Sequence, residues 1–162
     1  MVKTDILGAR GQVSDPEALI RSLQHIGGGE GLAMDADMVC GKGHLVSAVM
    51  HASRAFERGL NVSQSMTGET MLYASGERQI SKAVKKMGVK VGTERLAIIL
   101  FGVVDPDKAI ATLAFERDDD VLEPSVEKAV RFGITPEELK AVPADMFEDL
   151  VLERVAFVGL QK

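Results

Sequence analysis

A single cysteine, Cys40, stands among 162 residues. No internal disulfide can form, and a zinc site would have to draw its remaining ligands from other residue types. Tryptophan is absent, Tyr73 is the only tyrosine and aromatic residues total 4%. A base-stacking platform of the kind used by single-strand binders would therefore be thin. No run approaches the ~18 consecutive apolar residues of a spanning helix. The first ten residues carry Lys3, Asp5 and Arg10 where a secretory signal would need an apolar stretch. The chain is expected to be cytoplasmic, with no membrane partner.

What is present is ordinary for a folded protein. Hydrophobic residues at 46% and charged residues at 27% provide enough apolar surface to offset chain entropy, which excludes wholesale disorder. The length predicts one domain spanning residues 1–162. A formal net charge of −5 argues against holding nucleic acid through overall charge and leaves the question to local patches.

Periodicity predicts alternating strands and helices. Thr4 to Val13 reads as a strand, and Pro16 to His25 as a helix announced by Ser14-Asp15-Pro16-Glu17. Gly27 to Gly31 has neither dinucleotide-fingerprint nor P-loop spacing and reads as a flexible loop before a strand, Gly31 to Cys40. Lys42 to Arg58 follows the 3.6-residue period through Leu45, Val49, Ala52 and Phe56. Further helices are expected in Gln64 to Ala74 and from Ile80 to Met87, where Ile80, Ala83, Val84 and Met87 form the apolar set. Arg95 to Val104, apolar on both faces, should be the central strand. Asp105-Pro106 opens a helix, followed by an acidic bend at Glu116 to Asp120 and helical pieces at Ser125 to Phe132 and Pro136 to Lys140. Met146 to Leu152 suits a last short helix, and Glu153 to Leu160 a closing strand with β-branched and aromatic content.

The polar residues assemble into no recognisable active site. His44 and His51 lie seven residues apart on one expected helix, ~10 Å along its axis, too far for one metal ion. Cys40 and His44 lack the second cysteine or neighbouring acid of a zinc site. Asp118-Asp119-Asp120 reads as a solvated turn rather than a cation clamp. No glycine-framed nucleophile elbow or triad is present. No catalytic residue, metal or cofactor is expected.

Ala74-Ser75-Gly76-Glu77-Arg78-Gln79-Ile80 is the segment with chemistry to offer. A glycine turn opens a helix whose free backbone N–H groups and positive end favour an anion such as phosphate. Arg78, Lys82, Lys85 and Lys86 lie away from the apolar set and are expected to give the helix a basic, solvent-facing flank. The guanidinium of Arg78 and the amide of Gln79 add directed hydrogen bonds that lysines make less well.

The run from Ser75 to Ile80, followed by Ala83-Val84 and Met87-Gly88, resembles the small regulatory subunit of the KEOPS tRNA-modification complex, a TPRKB-like kinase-binding family. The same resemblance continues in Lys42, His44, Leu45, Ala48 and Ala52 and in Leu152-Glu153-Arg154-Val155-Ala156. It implies an α/β domain with a central, mostly antiparallel or mixed sheet flanked by helices. It further implies a non-catalytic subunit of the machine that makes threonylcarbamoyladenosine in tRNA. Such a subunit binds the atypical kinase/ATPase subunit and anchors the tRNA 3′ CCA end. Carried over by motif, Lys42, His44, Ser75, Gly76, Arg78 and Gln79, with Lys82 on the adjoining flank, are the expected RNA-binding residues. Met146, Phe147 and Leu150 are the place to look for the kinase contact or, equally, for core. A small enzyme using His44 or the acidic bend, and a purely structural interaction subunit with a solvated basic flank, are the alternatives.

Overall fold

Apolar side chains at every position from Leu96 to Phe101 demand cover on both faces of a strand. The computed structural model, which describes residues 2–161, places this segment inside a four-stranded sheet of order β2-β3-β1-β4. β3 (Arg95–Phe101) pairs antiparallel with β1 (Thr4–Arg10) and with β2 (Glu30–Asp35), and β4 (Glu116–Arg117) pairs antiparallel with the end of β1. The α/β class with an antiparallel sheet is as the sequence led us to expect. The chain forms two compact units, one of residues up to 37 and 88–122, the other of residues 38–87 and from 123 onward.

The first unit is built on the sheet. Register aligns Leu7 and Ala33 with Ile98, so these three share one face with Ala9, Leu96 and Leu100. That face packs against Leu19 and Leu23 of α1 (Pro16–Gln24) and Ala109 and Ile110 of α5 (Pro106–Thr112). Both helices start the same way: an aspartate caps, a proline follows, and the carboxylate accepts a backbone N–H. Asp15 takes that of Ala18 at 3.1 Å and Asp105 that of Lys108 at 3.2 Å.

The acidic bend is largely consumed in closing this unit. Asp119 accepts the Gly8 N–H at 3.0 Å, Asp118 pairs with Arg10, and Arg117 bridges Asp107 and Asp119. A Cβ on Gly8 would stand 2.5 Å from the Asp118 carbonyl oxygen, which explains glycine in mid-strand. The second strand is shorter than expected. It ends at Asp35, whose carboxylate accepts the Asp37 N–H at 2.9 Å and turns the chain into a 3-10 turn, Ala36–Met38.

The second unit is helical: α2 (Lys42–Glu57), α3 (Met66–Ser75), α4 (Ile80–Met87), α6 (Val126–Phe132), α7 (Pro136–Lys140) and α8 (Phe147–Gln161). α3 is buried at every residue from Glu69 to Ser75 and packs among α2, α4 and α8. The enclosed carboxylate of Glu69 accepts the N–H groups of Val62 and Ser63 at 3.0 and 2.9 Å, fixing the loop between α2 and α3.

The closing strand expected over Glu153 to Leu160 is absent; the segment continues α8. Val151, Val155 and Val158, spaced by four and three residues, form one buried stripe, whereas strand alternation would place Val158 and Leu160 together. Packing of that stripe outweighs the β-preference of its valines. Val158 is 1% exposed and Leu160 80%. Val158→Ala should therefore cost about 2 kcal/mol in urea unfolding, and Leu160→Ala less than about 0.5 kcal/mol. Equal losses at both positions would contradict the helix.

Candidate nucleic-acid interface

The entrance of α2 is shaped by Gly41, which caps the helix with φ of 95° and no side-chain cap bond. A side chain there would be strained by the backbone and pressed against Glu148 and Pro124. Lys42 and Gly43 follow, both exposed. His44 turns inward and is 1% exposed. Its Nδ1 accepts the Cys40 N–H at 3.0 Å, so Nε2 carries the proton and donates to the Ala74 carbonyl at 2.7 Å. Burial drives its pKa down to about 4, and the positive fields of Lys86 and Lys128 push the same way against the bond to Ala74.

Ala74 sits in the last turn of α3, so this one side chain ties the α2 entrance to the turn that leads into α4. That turn begins with Ser75, also fully enclosed. Its hydroxyl donates to the Leu72 carbonyl at 3.0 Å and accepts the Glu77 N–H at 3.1 Å. Gly76 reverses the chain in the left-handed conformation (φ 73°, ψ 15°), its N–H closing onto the Tyr73 carbonyl at 3.2 Å. Arg78 and Gln79 lie on the bend that follows, exposed, and the Gln79 carbonyl receives the Ala83 N–H at 3.0 Å to start α4. Lys82 is exposed one turn further on.

The seven expected RNA residues therefore divide into two layers. Lys42, Arg78, Gln79 and Lys82 are presented to solvent; His44 and Ser75 lie beneath them as internal hydrogen-bonding groups, with Gly76 as the hinge between. The basic flank also differs from expectation at one position. Lys86 is half-buried, donating to the Ser75 carbonyl at 2.8 Å and standing 3.8 Å over the ring of Phe132. Burial lowers its pKa, Glu77 partly restores it and Arg154 lowers it further. α4 is correspondingly rotated: Ala83 and Met87 are buried, while Ile80 and Val84 are 40% and 45% exposed.

Sequence reasoning missed Phe132 and the placement of Arg154. The ring of Phe132 meets the His44 ring edge-on at 5.1 Å and lies 3.6 Å from where a Gly76 side chain would begin. Arg154 of α8 borders Gly76 as well and grips both Glu138 carboxylate oxygens at 2.6 Å. Arg154 falls in the third resembling segment, so its meeting with Gly76 was readable only as membership of one motif set. Tyr73 is buried and stacks on His51 at 5.3 Å, so the single tyrosine is not presented for base stacking. Of the expected kinase-contact residues, Met146 is exposed just before α8, while Phe147 and Leu150 are half-buried. Among the described residues no three histidine, cysteine or acidic side chains converge to hold a metal ion, and no helix is long and apolar enough to cross a membrane.

These features define a small α/β chain whose helix entrances carry exposed cations over a polar, internally satisfied base. A family model described as kinase binding protein CGI-121 matches residues 12–158, and the chain belongs to that family. The match reaches well into the first unit, ahead of Lys42, where the resembling motifs begin. The KEOPS complex subunit Cgi121 of Pyrococcus abyssi is 34% identical over 55% of this chain, and the match spans 52% of that protein's length. The regulatory protein Cgi121 of Methanocaldococcus jannaschii is 30% identical over 80% of this chain and 83% of its own.

The buried imidazole makes stability depend on pH. The folded state holds His44 neutral to about pH 4, while the unfolded chain takes up a proton near 6.5. Its contribution is complete above pH 6.5 and is lost as pH falls toward 4, about 3 kcal/mol in all. In urea titrations His44→Gln should be less stable than the parent at pH 7.5, with the difference shrinking toward pH 4.5. A constant difference would contradict this account of His44.

Proposed function

We propose that this chain is a non-catalytic, cytoplasmic adaptor of a KEOPS-type complex that makes threonylcarbamoyladenosine in tRNA. In this role it binds the atypical kinase/ATPase subunit and holds the tRNA 3′ CCA end. Support for the assembly comes from family membership and from the names of the two relatives, a KEOPS complex subunit and a regulatory protein. The exposed Met146 and the half-buried Phe147 and Leu150 at the start of α8 are the proposed kinase contact.

One observation carries the RNA reading: the hydrogen bond from His44 Nε2 to the Ala74 carbonyl at 2.7 Å. It joins the helix entrance bearing Lys42 to the turn bearing Arg78 and Gln79, so the proposed contacts belong to one local structure. An unpaired tRNA end offers exposed phosphates and base edges. Lysines act on phosphate as point charges, and Arg78 and Gln79 add direction. Such a local surface suffices despite the net charge of −5, because charges farther off than a Debye length of ~8 Å are screened.

Arg78→Ala should weaken binding of a CCA-ended tRNA about tenfold, the loss of one charge-assisted contact. The variant should still fold, and the same tRNA lacking its 3′ tail should already bind weakly and be insensitive to the substitution. Equal, salt-labile binding of tailed and tailless tRNA would favour a purely structural subunit with a solvated basic flank.

A further inference from the structure

Two consecutive carbonyls at the end of α3 receive side-chain donors from other helices. Ala74 is met by His44 of α2 at 2.7 Å and Ser75 by Lys86 of α4 at 2.8 Å. Carbonyls in the last turn of a helix have no intrahelical partner and carry the negative end of its dipole, so a cation is the favoured guest. Lys86 is held in place from below as well, with its ammonium 3.8 Å over the Phe132 ring, the same ring that abuts His44 and Gly76.

We infer that Lys86 is a positioning residue of the RNA-binding surface: it pins the Ser75 carbonyl, fixes the direction in which the chain leaves α3, and so sets where Arg78 and Gln79 are presented. It is not one of the cations that meet phosphate. This rests on the reading of the surface given above and adds to it a division of labour among lysines of one helix. Lys82, exposed on α4, faces the nucleic acid; Lys86 faces the protein. The lowered pKa of Lys86, due first to burial, agrees with an inward ammonium.

Lys86→Met keeps most of the aliphatic length and removes the donor. The 162-residue chain and its variants are titrated with one tRNA transcript, with and without its 3′ CCA, across a salt series. Amide exchange at Glu77, whose N–H reaches the Leu72 carbonyl at 3.2 Å and Ser75 Oγ at 3.1 Å, is followed in the free protein. Lys86→Met should lose about tenfold in affinity for the tailed tRNA only. Its salt slope should stay that of the parent, and Glu77 should exchange about tenfold faster. Lys82→Ala should instead reduce the salt slope by about 0.7, one single-strand phosphate charge.

A comparable drop in slope for Lys86→Met would make Lys86 a phosphate contact and overturn the inference. Parent-like tail preference with unchanged Glu77 exchange would overturn it as well. If the parent itself shows no tail preference while Glu77 exchange rises in Lys86→Met, the pinning stands and the RNA reading falls.

Discussion

The second unit is organised around a neutral imidazole. His44 accepts one backbone N–H and donates to one backbone carbonyl, and both partners, Cys40 and Ala74, are main-chain groups at helix boundaries. This works in one protonation state and one tautomer. A second proton would face the Cys40 N–H donor and place a charge among buried atoms near Lys86 and Lys128. The geometry gives the histidine of this lysine- and glycine-containing turn an internal task. His44 is enclosed and serves as a brace between the two segments that display the exposed cations.

The exposed cations sit on a chain of net charge −5 in which several side-chain charges are paired. Asp118 pairs with Arg10, Asp119 and Asp107 with Arg117, and Glu138 with Arg154. These are partly exposed pairs that hold loops and strand ends in register, and each adds little to stability. Near the Gly76 turn, cations are divided between those braced from below, such as Lys86, and those presented outward, such as Lys42 and Lys82.

Most elements were legible in the sequence because local signals agreed with packing. The Asp-Pro starts of α1 and α5 and the apolar period of α2 survive, while the central strand expected over Arg95 to Val104 stops at Phe101, where Gly102 turns the chain with φ of 70°. What failed depended on partners distant in sequence. The strand expected at Glu153 to Leu160 weighed β-branched content over the four-and-three spacing of Val151, Val155 and Val158, whose burial in a packed stripe decided for helix. Lys86 was assigned to solvent because it lies away from the apolar set of α4, yet the Ser75 carbonyl and the Phe132 ring draw it inward. Residue types and motif positions singled out two helix entrances; which of their members are exposed is a tertiary property.

The central claim is that the α2 entrance and the turn after α3 act as one nucleic-acid-holding surface. Amide chemical shifts recorded while a short CCA-ended oligonucleotide is titrated into the labelled chain test it directly. The account predicts that Lys42, Gly43, Arg78 and Gln79 shift together along one binding curve, at protein concentrations where an oligonucleotide of unrelated 3′ sequence moves them little. Shifts confined to one of the two segments, or centred on residues of the sheet unit, would contradict it.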